Sequence, residues 1–186
     1  MDFLSALWLP IVVSAGFVWF ASFLLWMVLP LHKGEWVKLS DERGFMGALL
    51  EMGVKPGQYI FPCAEDPKQM KEPEFQELMK RGPMGHMTIW PGPPNMGLFM
   101  FMTLIIYMII SLFVAYVAYH TLSPTDPYLT RFRVTGAMSV AIYCFGKLPH
   151  DIWFRTPGHS IARALVDGVI YGLLTAGTFG WLWPKE

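Results

Sequence analysis

Six ionisable side chains cluster in a chain otherwise sparing with charge. Lys147, His150 and Asp151 close the apolar run CFGKLPHDIWF (144–154), and His159, Arg163 and Asp167 follow. Histidine and carboxylate together can carry a proton or ligate a metal, and with Lys and Arg they can hold an anionic headgroup. Two i,i+4 spacings, Lys147 with Asp151 and Arg163 with Asp167, favour local ion pairs on a helix. A Lys147–Asp167 pair across neighbouring helices competes with them, because both residues fall at similar depth when each helix is measured at about 1.5 Å per residue. His32 gathers on the same face. Structural pairing and headgroup contact near a helix end are the expected role. A proton, metal or ligand site is the alternative, since ions inside a membrane are functional candidates by default.

Other chemistries find less support. No HxxxH, CxxC or HExxH occurs, and His150 and His159 are separated by Pro157 and Gly158, which permits convergence without requiring it. Met100, Met102 and Met108 are scattered along one apolar run and read as packing rather than as soft copper ligands. All five histidines lie at helix ends or in loops, unlike the facing pair that haem ligation needs. GxSxG, the P-loop and a carboxylate pair within one helix are all missing from the sequence. The expectation is therefore no catalytic residue, no metal ligand set and no cofactor. Cys63 stands in a polar loop and Cys144 in an apolar run, so a mutual disulfide is not expected.

The elements that must position these residues follow from composition. Of 186 residues, 54% are hydrophobic and 15% charged, against about 25% charged in soluble domains. The first partner this implies is a lipid bilayer. A formal net charge of zero and no block of Lys or Arg argue against nucleic acid. Residues 3–31 contain no ionisable side chain, enough to cross a hydrocarbon core that needs roughly 20 apolar residues. The run is too long for a signal peptide, and Asp2 replaces a basic leader, so it reads as a retained helix.

The expected fold is an all-α membrane protein with four transmembrane helices. Helix one covers 1–31, helix two 96–119, helix three 134–153 and helix four 161–183. A short non-helical connection, 120–133, joins helices two and three; a turn, 154–160, joins three and four; and 184–186 form a tail. Four crossings put 32–95 and 154–160 on one side of the membrane. That side carries Lys33, Lys38, Arg43, Lys80, Arg81, Arg155 and Arg163, against Arg131, Arg133 and Lys185 opposite, so it is expected in the cytoplasm. Trp8, Trp181 and Trp183 would mark one interface, and Trp26, Trp36, Trp90 and Trp153 the other.

The 32–95 segment, roughly 60 residues and so near the limit of that charge rule, reads as a partly helical loop domain. In SDERGFMGALLEMG (40–53) Ser40 can cap, Asp41 and Glu42 suit a helix N-terminus and Gly53 can end the helix. In EPEFQELMKRG (72–82) Pro73 suits the first helical position and Gly82 the end. Helices this short need support from packing, whether by membrane surface, helix ends or partner.

Helix four carries Ala164, Gly168, Gly172, Ala176 and Gly180 at strict four-residue intervals, a small-xxx-small ridge for close helix packing. It can face helix three, helix one or another subunit. LPLHKGEWVKL, PGQYIFP and DGVIYGLLTAGTFGWLWP together resemble a family of small, uncharacterised bacterial inner-membrane proteins of four helices. The resemblance implies a multi-pass protein of the bacterial inner membrane and transfers no activity. The expected function is a non-catalytic structural or accessory subunit of a larger membrane complex, with other membrane protein subunits as partners. The alternative is a small transporter or ligand- or metal-binding membrane protein using the interfacial Lys/His/Asp/Arg cluster.

Overall fold

The computed structural model describes residues 2–184, so Lys185 and most of the expected tail lie outside the described residues. The elements are α1 (Asp2–Phe23), α2 (Glu42–Glu51), β1 (Gly57–Phe61), α3 (Pro73–Arg81), β2 (Gly85–Ile89), α4 (Met96–Thr121), α5 (Tyr128–Phe145), α6 (Leu148–Trp153) and α7 (Gly158–Trp181). The chain forms two compact units, one of residues 1–37 and 95–186 and one of residues 38–94.

In the first unit α1 packs on α4 and α7, and α5 packs on α4 and, most extensively, on α7. Three of its helices, Phe3–Val28, Met96–Thr121 and Gly158–Trp181, are long and apolar enough to cross a membrane. The core lies where they meet. Leu7 and Ile11 of α1, Val114, Ala115 and Ala118 of α4, and Phe179 with Trp183 from the end of α7 form one buried cluster. Ser14 donates to, or accepts from, Ser111 at 2.9 Å across the α1–α4 seam, so both hydroxyls are satisfied where small residues let the backbones approach.

The glycine ridge is used inside the chain. A Cβ added to Gly172 would stand 2.5 Å from Val140 Cγ2 and 2.9 Å from the Val140 backbone nitrogen; on Gly168 it would meet Cys144 Sγ at 2.7 Å, and on Gly180 the Tyr128 ring at 2.6 Å. Gly136 of α5 faces Ala176 in return. Of the three partners open in the sequence, the ridge therefore takes helix three, and it is not free for another subunit.

Two expected boundaries are corrected. Residues 128–133, assigned to the connection, are the opening turns of α5; only 122–127 is irregular, with Pro127 just ahead of the helix. Arg131 there donates to the Pro124 carbonyl at 2.7 Å and lies 5.5 Å above the Trp183 ring, so its charge is accommodated by the turn it follows. At the other end α5 stops at Phe145, and 148–153 is a separate short helix with Pro149 in its first turn, where a missing N–H costs nothing.

The second unit is not purely helical, which corrects the all-α expectation. β1 and β2 pair antiparallel from Gly57–Ile89 to Phe61–Gly85. The strand at 85–89 is not legible in the sequence, because five residues bounded by Gly and Pro carry little periodicity. The two short helices fall where the caps place them: Asp41, rather than Ser40, accepts from the Gly44 amide at 2.9 Å, and Gly53 and Gly82 follow α2 and α3 with φ of +65° and +62°.

Gly172→Ala should destabilise the α5–α7 pairing by about 1–3 kcal/mol, because the obstructing Val140 backbone cannot swing away. Gly177→Ala, on the same helix with nothing within 4 Å, should be neutral or stabilising by up to about 1 kcal/mol. Unfolding of the two variants in matched detergent checks the contrast.

Candidate functional site

The buried polar centre of the first unit is assembled from the exit of α1 and the second and third turns of α7. After Phe23 the helix widens into a π-helical turn, Leu24–Val28, then breaks at Leu29 into an extended residue and a 3-10 turn, Pro30–His32. Pro30 has no N–H to continue the ladder, so the chain turns there, and His32 is carried back against α7. His32 is 9% exposed.

Its two ring nitrogens meet two carboxylates. Nε2 lies 2.9 Å from Asp167 Oδ2 and Nδ1 lies 2.9 Å from Glu35 Oε1. The Trp26 indole N–H donates to the same Asp167 Oδ2 at 3.1 Å, and the Trp26 ring stacks on the imidazole with centroids 3.8 Å apart and planes within 9°. Arg163 Nη1 stands 3.6 Å from Glu35 Oε1, an ion pair rather than a hydrogen bond. Asp167 Oδ1 is buried without a hydrogen-bond partner, and so are the hydroxyls of Tyr143 and Tyr171. Beside Asp167, Tyr171 packs against Tyr107 of α4 and Tyr143 of α5, with ring centroids 5.9 and 5.6 Å away, and those two rings lie 6.1 Å from each other.

Hydrogen-bond counting shows what this arrangement holds. Ionised carboxylates only accept, and a neutral imidazole has one N–H. Two short contacts from one ring to two carboxylates need two protons. For both contacts to be hydrogen bonds, the Glu35–His32–Asp167 chain would have to hold one proton more than two carboxylates and a neutral imidazole. With Arg163 added, that proton brings the cluster to zero net charge, the state burial favours.

Of the residues singled out in the sequence, Asp167, Arg163 and His32 belong to this centre. Lys147 does not: it pairs with Asp151 at 3.1 Å, one of the two local i,i+4 pairs, and in place of the competing Lys147–Asp167 pair Asp167 bonds to His32 and Trp26. Arg163 likewise turns from Asp167 to Glu35. His150 stacks on Phe154, with centroids 4.4 Å apart, and His159 is exposed at the start of α7. Among the described residues, no group of three or more His, Cys, Asp or Glu side chains is arranged to hold a metal ion. Cys63 and Cys144 are free thiols.

Lys147 and Asp151 form a second, smaller clasp that closes α6. Asp151 is 3% exposed and accepts from Thr156 Oγ1 at 3.0 Å. Burial is the largest single influence on its carboxyl and opposes ionisation. The hydrogen bonds of Lys147 and Thr156 and the charges of Lys147 and His150 together outweigh it and hold the carboxyl below its ordinary value.

The roles of Trp26 and Glu35 in this centre are not legible from the sequence in the same way. Glu35 had a signal, the i,i+3 spacing from His32; Trp26 had none, being 141 residues from the carboxylate it serves. Compared with protein-family models, curated proteins and solved structures, the chain finds no match.

A double-mutant cycle of His32→Ala and Asp167→Ala should return a coupling of about 0.5–3 kcal/mol, whereas Lys147→Met and Asp167→Asn should add within about 0.5 kcal/mol, since they belong to separate networks. Because the folded carboxyl of Asp151 titrates below its unfolded value, its contribution is complete above about pH 4 and is lost as pH falls through the depressed value. Hydrogen exchange of 147–156 should show that acid-side loosening in the wild type and not in Asp151→Asn.

Proposed function

We propose that this chain is a non-catalytic, four-span integral membrane protein of a bacterial inner membrane that binds and releases a proton at the Glu35–His32–Asp167 chain, in the class of small transporters and ligand-binding membrane proteins. The observation that carries the reading is the buried imidazole bridging two carboxylates at 2.9 Å each. A purely structural clasp needs one carboxylate; a second one adds a proton site. The second, buried oxygen of Asp167 is left as an acceptor that no other group uses.

The fourth crossing is α5. Its 18 residues measure about 27 Å at 1.5 Å per residue, close to a hydrocarbon thickness of about 30 Å. Arg131 and Arg133 sit in its opening turns, where arginine snorkels to the interface. Four crossings set residues 32–95 and 146–157 on the same side, and the excess of Lys and Arg there supports a cytoplasmic placement.

An accessory-subunit reading draws on a different observation. In the second unit Tyr59, Ile60 and Phe61 of β1 are all exposed, Ile60 at 55%, an apolar strand that a partner subunit would cover. Stoichiometric co-purification of a second chain in mild detergent is its test.

Histidine-selective NMR of the full chain in lipid nanodiscs tests the proton reading. Because both groups contact Asp167 Oδ2, the His32 ring signal and the Trp26 indole N–H should shift together whenever the network exchanges a proton. In Asp167→Asn that joint shift should vanish while the protein stays folded. A network whose protonation never changes over the range in which the chain remains folded would leave it a structural fastener only.

A further inference from the structure

Helix α2 poses a physical problem. It has ten residues, too few to be stable alone in water. It buries no residue, and among the described residues no other element packs extensively on it. Its side chains are nonetheless two-sided. At 100° per residue Phe45, Leu49, Met46 and Leu50 fall on one arc, with Met52 in line just past the helix and Glu42 of the first turn also on it, while Arg43, Gly47 and Glu51 fall on the other. Exposures of 60% at Met46, 79% at Leu50 and 67% at Met52 leave that arc uncovered.

The uncovered arc continues a longer pattern along the chain. From the end of the first apolar helix the exposed large apolar residues run Trp26, Met27, Val28, Leu29, Leu31, Trp36, Val37, Leu39, and then into α2. Trp36 and Val37 are 89% and 85% exposed. Lys38, Leu39, Ser40 and Asp41 alone stand between Val37 and the first residue of α2, so the apolar pattern passes along the chain into the helix.

We propose that α2 lies in the headgroup region of the bilayer with the Phe45–Met46–Leu49–Leu50–Met52 face turned into lipid. Burial of that face in the interface is the stabilisation a short helix otherwise lacks. Few cations line the face, with Lys38 and Arg43 offset by Asp41, Glu42 and Glu51, so the partner is the apolar boundary of the lipid rather than anionic headgroups in particular. The proposal rests on the membrane reading above and is independent of the proton site.

The test uses the full chain in phosphatidylcholine nanodiscs, with Cys63→Ser and Cys144→Ala removing the native thiols and a nitroxide placed in turn at Met46→Cys, Leu50→Cys, Glu51→Cys and Phe113→Cys. Phe113, exposed midway along α4, reports whether the chain is in the bilayer at all, so failure of the membrane reading and failure of the α2 proposal give different results. The expected result is a ratio of oxygen to nickel-chelate collisions several-fold higher at 46 and 50 than at 51. Equal nickel access at all three places the face in water, and shielding of 46 and 50 from both reagents places it against protein; either overturns the proposal. Met46→Asp combined with Leu50→Asp should abolish amide protection across 45–51 while leaving α4 and α7 protected. Protection that survives this change would show that lipid is not what holds the helix, and would overturn it too.

Discussion

The close packing of the α7 backbone at Gly172 on Val140 of α5 orients the helix that carries Asp167. In hydrocarbon no hydrophobic effect draws helices together, so association depends on contact at short range and on hydrogen bonds. Gly168, Gly172 and Gly180 give α7 a surface with no side-chain relief, and α5 fills it with Cys144, Val140 and Tyr128. That contact fixes the rotation of α7 about its axis. Asp167, one residue before Gly168, is then turned toward the exit of α1, and Tyr171, one before Gly172, toward the tyrosines of α4 and α5.

A buried carboxylate at that place has few ways to exist. Trp26 covers the His32 ring with its own and satisfies Asp167 Oδ2 with its indole N–H. His32 then joins Asp167 to Glu35, and Arg163, one turn before Asp167, offsets the second negative charge. The break of α1 at Leu29–Pro30 serves this arrangement: a continuous helix would carry His32 onward along its axis, whereas the 3-10 turn returns it to α7. Backbone irregularity and charge cluster are thus one feature, since the turn that ends the helix is what brings His32 into its buried position.

The second unit shows a different economy. Its sheet has two strands, its helices have nine and ten residues, and Phe75 is the buried side chain of α3. Such a unit encloses little apolar surface, and small assemblies of this kind draw stability from outside themselves. An interfacial α2 supplies that support without requiring a larger core.

Much of this protein is determined by local sequence. Uncharged runs longer than a bilayer is thick define α1 and α4, Pro73 and Gly82 bound α3, and small residues every fourth position mark the packing face of α7, because each signal acts within a few residues of itself. Asp167 and Arg163 were visible as ions in an apolar helix for the same reason. What they bind was decided only in three dimensions. Lys147 has a partner four residues away in Asp151 and takes it, whereas Asp167 is turned by the glycine contact toward Trp26 and His32, more than 130 residues distant in the chain. Local spacing states which pairs are within reach along one helix; the rotation of a helix against its neighbours, set by packing at Gly172, selects which pair forms.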